Sequence, residues 1–168
     1  EFASRHPGRV RALWLQDAFG VKSAPYSKIM TEYIEGKSNP FLVESMKDYA
    51  NLADMMFFKP PHVPYALARA GYLKTARLKT ELPRMSEEFL LQSTPLDELA
   101  LKLKMPVLIE WGLADQATHP DGAIVLHKLI EGSDLVTHEE VGHLPMLESP
   151  SLSTQAFSEF AKKHNLER

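Results

Sequence analysis

The stretch MPVLIEWGLADQATHPDGAIVLHKLIEGSDLVTHEEVGHLPMLESP, residues 105–150, decides the fold. Its apolar run PVLIEW (106–111) predicts a buried strand, because parallel strands that are covered on both faces lose strict alternation. The segment DLVTH (134–138) predicts a second strand. Between them, residues 120–130 repeat apolar positions at helical spacing and are followed by glycine, a common helix stop. The stretch therefore predicts a strand, a helix and a second strand.

The flanking sequence extends this alternation. The apolar run VRALWL (10–15) predicts a further strand, and residues 150–164 predict a closing helix with Leu152, Ala156, Phe157, Phe160 and Ala161 on its buried stripe. Strands that alternate with helices are typical of a parallel α/β sheet with right-handed crossovers. We therefore expect an α/β fold with three parallel strands.

A long helical insertion separates the first predicted strand from the others. Helical periodicity and prolines predict helices at residues 43–58, 64–82, 84–92 and 94–102. In the first of these, one stripe holds Met46, Tyr49, Ala50, Ala53, Met56 and Phe57. We predict that residues 1–20 and 94–168 form the core and that residues 21–93 form the insertion.

The composition is that of an ordinary soluble globular domain, with 44% hydrophobic and 24% charged residues among 168. The net charge of −3 gives no bulk attraction to nucleic acid, so we expect no nucleic-acid partner. The absence of cysteine excludes disulfides and thiolate metal sites. No apolar run approaches the roughly 18–20 residues of a membrane span. The compartment of the complete protein stays open between cytoplasm, periplasm and a membrane-associated location.

Two candidate catalytic side chains follow the predicted strands of the deciding stretch, Asp115 in WGLAD and His143 in GHLPMLE. An isolated loop aspartate is more often a turn or cap residue, and an isolated loop histidine is often bonded to backbone. Ligands of parallel sheets bind at the carboxyl ends of the strands, where both residues fall. A histidine acts as a general base when a carboxylate orients its ring. Their joint position therefore favours an acid–base pair.

PVLIEWGLAD followed by VGHLPMLESP resembles the C-terminal half of the α/β-hydrolase fold. ASRHPGRVRALWLQDAFGV resembles the segment of that family that follows the nucleophile elbow and ends in the sixth strand. The resemblance implies that Asp115 is the acid and His143 the base of a catalytic triad, in the family's chain order of nucleophile, acid and histidine. It also implies that the insertion is a lid over the active site.

The lid sequence NPFLVESMKDYANLADMMFFKPPHVP is similar to the lids of bacterial lipases and monoacylglycerol-lipase-like hydrolases. This similarity implies a carboxylic ester substrate with an apolar acyl group. Leu144 and Met146 directly follow His143, and we predict that they contact the substrate. Met56 and Phe57 are either helix core or lining of the acyl pocket, and Met suits both settings.

The nucleophile of the family is missing from the sequence. It lies in a Gly-x-Ser-x-Gly turn in that family, and no such motif occurs here. The family's oxyanion-hole donors fall in segments upstream of Glu1. We therefore expect the chain to be part of a longer or two-piece protein and to lack esterase activity alone. A partner is expected at the edge of strand 10–15, either an N-terminal half, in the same or a separate chain, or a second copy.

Two alternatives to a serine hydrolase stay open. The missing turn could carry aspartate as nucleophile, as in epoxide hydrolases or haloalkane dehalogenases. The chain could also be a non-catalytic truncated module, either a binding module or part of a pseudoenzyme.

Further polar residues are assigned structural roles. Asp17 follows the first predicted strand, where some α/β-hydrolases carry an alternative acid, but a loop-capping role is favoured given Asp115. His138, beside two glutamates, is interpreted as solvated or ion-paired. No pair of histidines has convincing metal-ligand spacing with a carboxylate, so we predict no metal and no cofactor.

Overall fold

A parallel three-stranded sheet in the order β1-β2-β3 lies at the centre of the computed structural model. The structure describes residues 1–166, without the side chains of residues 89–92. The strands are β1 (Leu13–Gln16), β2 (Val107–Gly112) and β3 (Asp134–His138). β2 is buried along its whole length, as its largely apolar sequence predicts, and this burial includes Glu110.

Helices cover both faces of the sheet. On one face, α6 (Leu96–Ala100) and α7 (Asp121–Leu129) pack on Val107, Ile109 and Trp111 of β2. Side chains alternate along a strand, so Glu110 lies on the opposite face, under α9 (Pro150–Lys163). This arrangement leaves the carboxyl ends of the strands free to carry loops.

Four helices precede α6 in the connection from β1 to β2, namely α2 (Lys28–Ile34), α3 (Met46–Met56), α4 (Tyr65–Ala76) and α5 (Glu81–Gln92). The first of them, α2, was not predicted. Its start is marked by Ser27, whose Oγ accepts from the N–H of Met30 at 3.2 Å. A capping box of Ser45 and Asp48 begins α3.

Two further short helices are α1 (Phe2–Arg5), at the start of the chain, and α8 (Pro145–Glu148), which follows the loop after β3. The sequence analysis did not predict α8. Of the helices in the described part of the chain, none is long and apolar enough to cross a bilayer.

The structure corrects several predicted boundaries and faces. The predicted helix at 64–82 is two elements, because α4 ends at Ala76 and α5 begins at Glu81. In α3 the buried residue is Met55, at 3% exposure, whereas Ala50 of the predicted stripe is exposed. In α9 the predicted core positions Leu152 and Phe157 are exposed, and Ser153 is buried instead.

Both edges of the sheet are open within residues 1–166, because β1 and β3 each pair with β2 alone. The edge at β1 is the one for which a partner was predicted. The adjoining surface is aromatic, since Trp14 stacks on Phe157 with ring centroids 4.9 Å apart. The division into a core and an insertion at residues 21–93 stays a prediction.

Candidate acid–base site

Asp115 is held rigidly by its own loop at the end of β2. Its Oδ1 accepts from the backbone N–H groups of Ala117 at 2.7 Å and Thr118 at 3.0 Å. Its Oδ2 accepts from the hydroxyl of Thr118 at 2.6 Å. The residue is 7% exposed. The carboxylate is therefore fixed in one orientation, with Oδ2 directed to the neighbouring loop.

His143 lies in that neighbouring loop, after β3. Its Nδ1 is 2.9 Å from Oδ2 of Asp115, and its side chain is 20% exposed. A Cβ on Gly112 would collide with the backbone oxygens of Val141 and Gly142. Glycine at the end of β2 thus permits the close approach of the acid loop and the histidine loop. The structure brings together the two residues that sequence reasoning selected.

Asp17 is the third member of this cluster. It follows β1 in a left-handed backbone conformation with φ 44°, and it is 2% exposed. Its Oδ1 accepts from the N–H of Gly112 at 2.8 Å, so the predicted loop-capping contact exists. Its carboxyl group also faces Asp115. Burial raises the pKa of Asp17 from 3.8 to about 9, the N–H of Gly112 opposes this shift, and the charge of Asp115 adds to it.

Asp17→Asn is therefore expected to stabilise the fold at alkaline pH. A raised folded-state pKa means that the folded chain binds more protons than the unfolded chain between pH 3.8 and about 9, so the contribution of Asp17 to stability falls as pH rises. Asparagine stays neutral, retains an acceptor for Gly112 and tolerates positive φ. The advantage over the parent should grow by up to about 1.4 kcal/mol per pH unit between about pH 5 and pH 8.

Urea unfolding of the parent and Asp17→Asn chains at several pH values measures this advantage. The exposed variant Asp54→Asn is the control and should show a constant small difference. If the free energy of unfolding of Asp17→Asn relative to the parent does not change with pH, the raised pKa of Asp17 is contradicted.

Asp17, Asp115 and His143 are also of the types that bind metal ions, and one ligand atom from each lies within 4.8 Å of the others. The Nδ1 of His143 and Oδ2 of Asp115 are however already bonded to each other. Oδ2 also accepts the hydroxyl of Thr118. The cluster thus consists of the hydrogen-bonded pair of Asp115 and His143 and of Asp17, whose Oδ2 is buried without a hydrogen-bond partner among the described residues.

The four predicted substrate contacts lie on two segments that meet at His143. Its backbone N–H donates to the carbonyl oxygen of Met56 at 3.0 Å. The four side chains are all half-buried: Met56, Phe57, Leu144 and Met146. A pocket that is partly open to solvent lies instead beside Thr118 and His119, and none of the four side chains lines it.

His138 is buried, which corrects the solvated interpretation and leaves the ion-paired one. Its Nε2 is 2.8 Å from Oε1 of Glu110, a residue with no exposed surface. The Oε2 of Glu110 accepts from Trp14 at 3.0 Å, Gln16 at 2.7 Å and Ser153 at 3.0 Å. This network joins all three strands to α9, below the acid–base site.

Sequence reasoning missed Thr118 and Glu110. The spacing of Thr118 from Asp115 is an available signal, because aspartate and a hydroxyl residue three positions later often share turn hydrogen bonds. Glu110 carries no local signal, since its partners are spread over the chain.

Comparison with known proteins gives similar ester hydrolases. No protein-family model matches the chain. It is 28% identical to Lipase 1 of Psychrobacter immobilis over 149 residues, covering 88% of this chain and 47% of that protein. It is 28% identical to the pimeloyl-[acyl-carrier protein] methyl ester esterase of Neisseria meningitidis serogroup B (strain H44/76), covering 95% of this chain and 63% of that protein.

A solved structure with the same fold is that of a membrane phospholipase A. It superposes with a TM-score of 0.91 at 27% identity, covering 98% of this chain and 53% of that one. These likenesses confirm the predicted fold, three parallel strands with helices that form the C-terminal part of an α/β-hydrolase sheet. The chain spans about half the length of the lipase and of the phospholipase.

Proposed function

We propose that this chain, which has the fold of the C-terminal part of an α/β-hydrolase, supplies the acid and the histidine of a serine-type carboxylic ester hydrolase. The observation that carries the proposal is the 2.9 Å hydrogen bond between Nδ1 of His143 and Oδ2 of Asp115. Asp115 is immobilised by three hydrogen bonds from its own loop, and such a carboxylate orients a histidine as a general base.

The chemistry follows from which ring nitrogen is engaged. The carboxylate of Asp115 holds the proton on Nδ1 of His143, which leaves Nε2 free to accept a proton. In the proposed reaction, Nε2 removes the proton of the attacking hydroxyl group and then returns it to the leaving alcohol. Asp115 stabilises the imidazolium that exists between these steps.

The nucleophile is proposed to come from polypeptide outside the given sequence, because no Gly-x-Ser-x-Gly motif occurs in it. The open side of β1 supports a docking place for that polypeptide, because within residues 1–166 no strand pairs with it and it lies next to Trp14 and Phe157. The partner is an N-terminal segment, in the same or a separate chain. Self-association through this edge is the competing arrangement.

The proposed substrate is a carboxylic ester with an apolar acyl group. Half-buried apolar side chains flank His143 on both segments that meet there, Leu144 and Met146 on one and Met56 and Phe57 on the other. The similar proteins named above are a lipase and a methyl ester esterase, both of which act on esters.

Labelling with a fluorophosphonate probe tests this function. The chain alone is expected to show no labelling and no turnover of p-nitrophenyl esters. A protein extended by the upstream coding sequence, or the chain mixed with that segment as a separate polypeptide, is expected to show both. Labelling of the chain alone, with turnover that His143→Ala abolishes, would contradict the external nucleophile.

A different nucleophile gives a different result. An extended protein that resists the probe but hydrolyses epoxides or haloalkanes would replace the serine with an aspartate. An extended, folded protein without any of these activities would favour the non-catalytic alternative.

A further inference from the structure

The carboxylate of Glu148, the last residue of α8, accepts hydrogen bonds from three backbone N–H groups in two segments that lie far apart in the chain. Its Oε2 accepts from Gly142 at 2.7 Å, in the loop that carries His143. It also accepts from Phe58 at 3.2 Å, and Oε1 accepts from Lys59 at 2.6 Å, both just after α3. A charged acceptor forms stronger hydrogen bonds than a neutral one. Glu148 therefore joins the end of α3 to the histidine loop.

The two backbones are in direct contact at this junction. The N–H of His143 donates to the carbonyl oxygen of Met56 at 3.0 Å. A Cβ on Gly142 would lie 2.6 Å from the backbone nitrogen of Phe58 and 2.9 Å from atoms of Phe57. Only glycine allows this approach, so the junction has no space for the segments to slide past each other.

A second ion pair spans the same junction but lies in solvent. Lys59 Nζ is 2.8 Å from Oε2 of Glu140, and both side chains are 69% exposed. Exposed pairs of this kind contribute little. Glu148, by contrast, is half-buried and satisfies three main-chain donors of the junction.

We propose that Glu148 is a positioning residue, which locks the loop of His143 to the end of α3 so that the histidine and this end of the lid move as one unit. The catalytic meaning rests on the proposed function, because the position of His143 matters for turnover only if it is the base. A substrate that displaces the end of α3 would then also displace His143 from Asp115.

Amide hydrogen exchange of the isotope-labelled chain tests this role. The informative amide is that of His143, because it bonds to Met56 and does not touch Glu148. In Glu148→Gln its exchange is expected to be at least about tenfold faster than in the parent, and faster again in Glu148→Ala. Glutamine keeps the side-chain size, but its NH₂ group is a donor and cannot accept from the backbone N–H groups that it would face. The exposed variant Glu140→Gln is the matched control and should stay within about twofold of the parent.

Unchanged exchange in β2 shows that a variant is folded. If His143 exchange in Glu148→Gln stays within about twofold of the parent, the proposal is overturned, whatever happens at Gly142. Should neither variant fold, the parent chain decides. In the parent chain, the amide chemical shifts of Gly142, Phe58 and Lys59 are followed as the pH is lowered. They are expected to change with one common midpoint, because all three amides donate to the same carboxylate. Separate midpoints would overturn the proposal.

The imidazole signal separates this proposal from the proposed function. The Nδ1–H resonance of His143 is expected in the parent and lost in Asp115→Asn. If this resonance is absent from the parent, the acid–base pair of Asp115 and His143 is contradicted, but the role of Glu148 is not. The hydrogen-exchange comparison then still decides the role of Glu148.

Discussion

Asp115→Asn is expected to lower the kcat/KM for ester hydrolysis by about 10²–10⁴-fold in a protein that includes the nucleophile. Oδ2 of Asp115 accepts the Nδ1 proton of His143 at 2.9 Å. An asparagine that keeps the contacts of Oδ1 would present NH₂ at the position of Oδ2, and the ring could no longer keep its proton on Nδ1. Nε2 would then be protonated in the neutral ring and unable to act as a base.

The matched control is Asp121→Asn, which changes an exposed carboxylate, with 62% of its side chain accessible, at the start of α7. Its kcat/KM should stay within about twofold of the parent, because the side chain makes no contact with the acid–base pair. His143→Ala should be at least as damaging as Asp115→Asn. An Asp115→Asn protein with kcat/KM within about tenfold of the parent would exclude Asp115 as the acid, and Asp17 would be the next candidate.

Glu110→Ala is expected to reduce the free energy of unfolding by about 3–5 kcal/mol. The buried carboxylate accepts from Trp14, Gln16 and Ser153, and its Oε1 is 2.8 Å from Nε2 of His138. Alanine would leave these groups without their acceptor in a region closed to water, and it would open a cavity on the α9 face of β2.

The effect should be graded with the number of acceptors that remain. Glu110→Gln retains one acceptor oxygen and should lower the free energy of unfolding by about 1–3 kcal/mol. The control Glu139→Ala changes an exposed neighbour of His138 and should lower it by less than about 0.5 kcal/mol. Urea unfolding followed by circular dichroism gives these values. A Glu110→Ala chain within about 1 kcal/mol of the parent would show that the network contributes little net stability.

The strands were predictable because their signal is local. The runs PVLIEW and DLVTH each contain a short cluster of apolar residues, and the observed β2 and β3 lie within one residue of them. The helix at 64–82 was mispredicted for the opposite reason. No residue of α4 is buried, so its sequence has no clear apolar stripe from which to read its end.

The acid–base pair was predictable from topology alone. Asp115 and His143 follow strands that are neighbours in the sheet, and the carboxyl ends of parallel strands share an edge. Asp17 also follows a strand of this sheet, but its raised pKa depends on complete burial, which its loop sequence does not reveal.

The sequence by itself determined the order of strands and helices, the parallel sheet and the two loops that carry Asp115 and His143, because all of these depend on local apolar patterns and on general rules of chain connection. Only the tertiary structure decided that Glu148 joins the histidine loop to residues about 90 positions earlier, and that Glu110 accepts from Trp14, Gln16 and Ser153. These contacts form between side chains and backbone groups that meet only when the whole chain is packed, and a polar residue gives no local sign of the distant donor that it will bind.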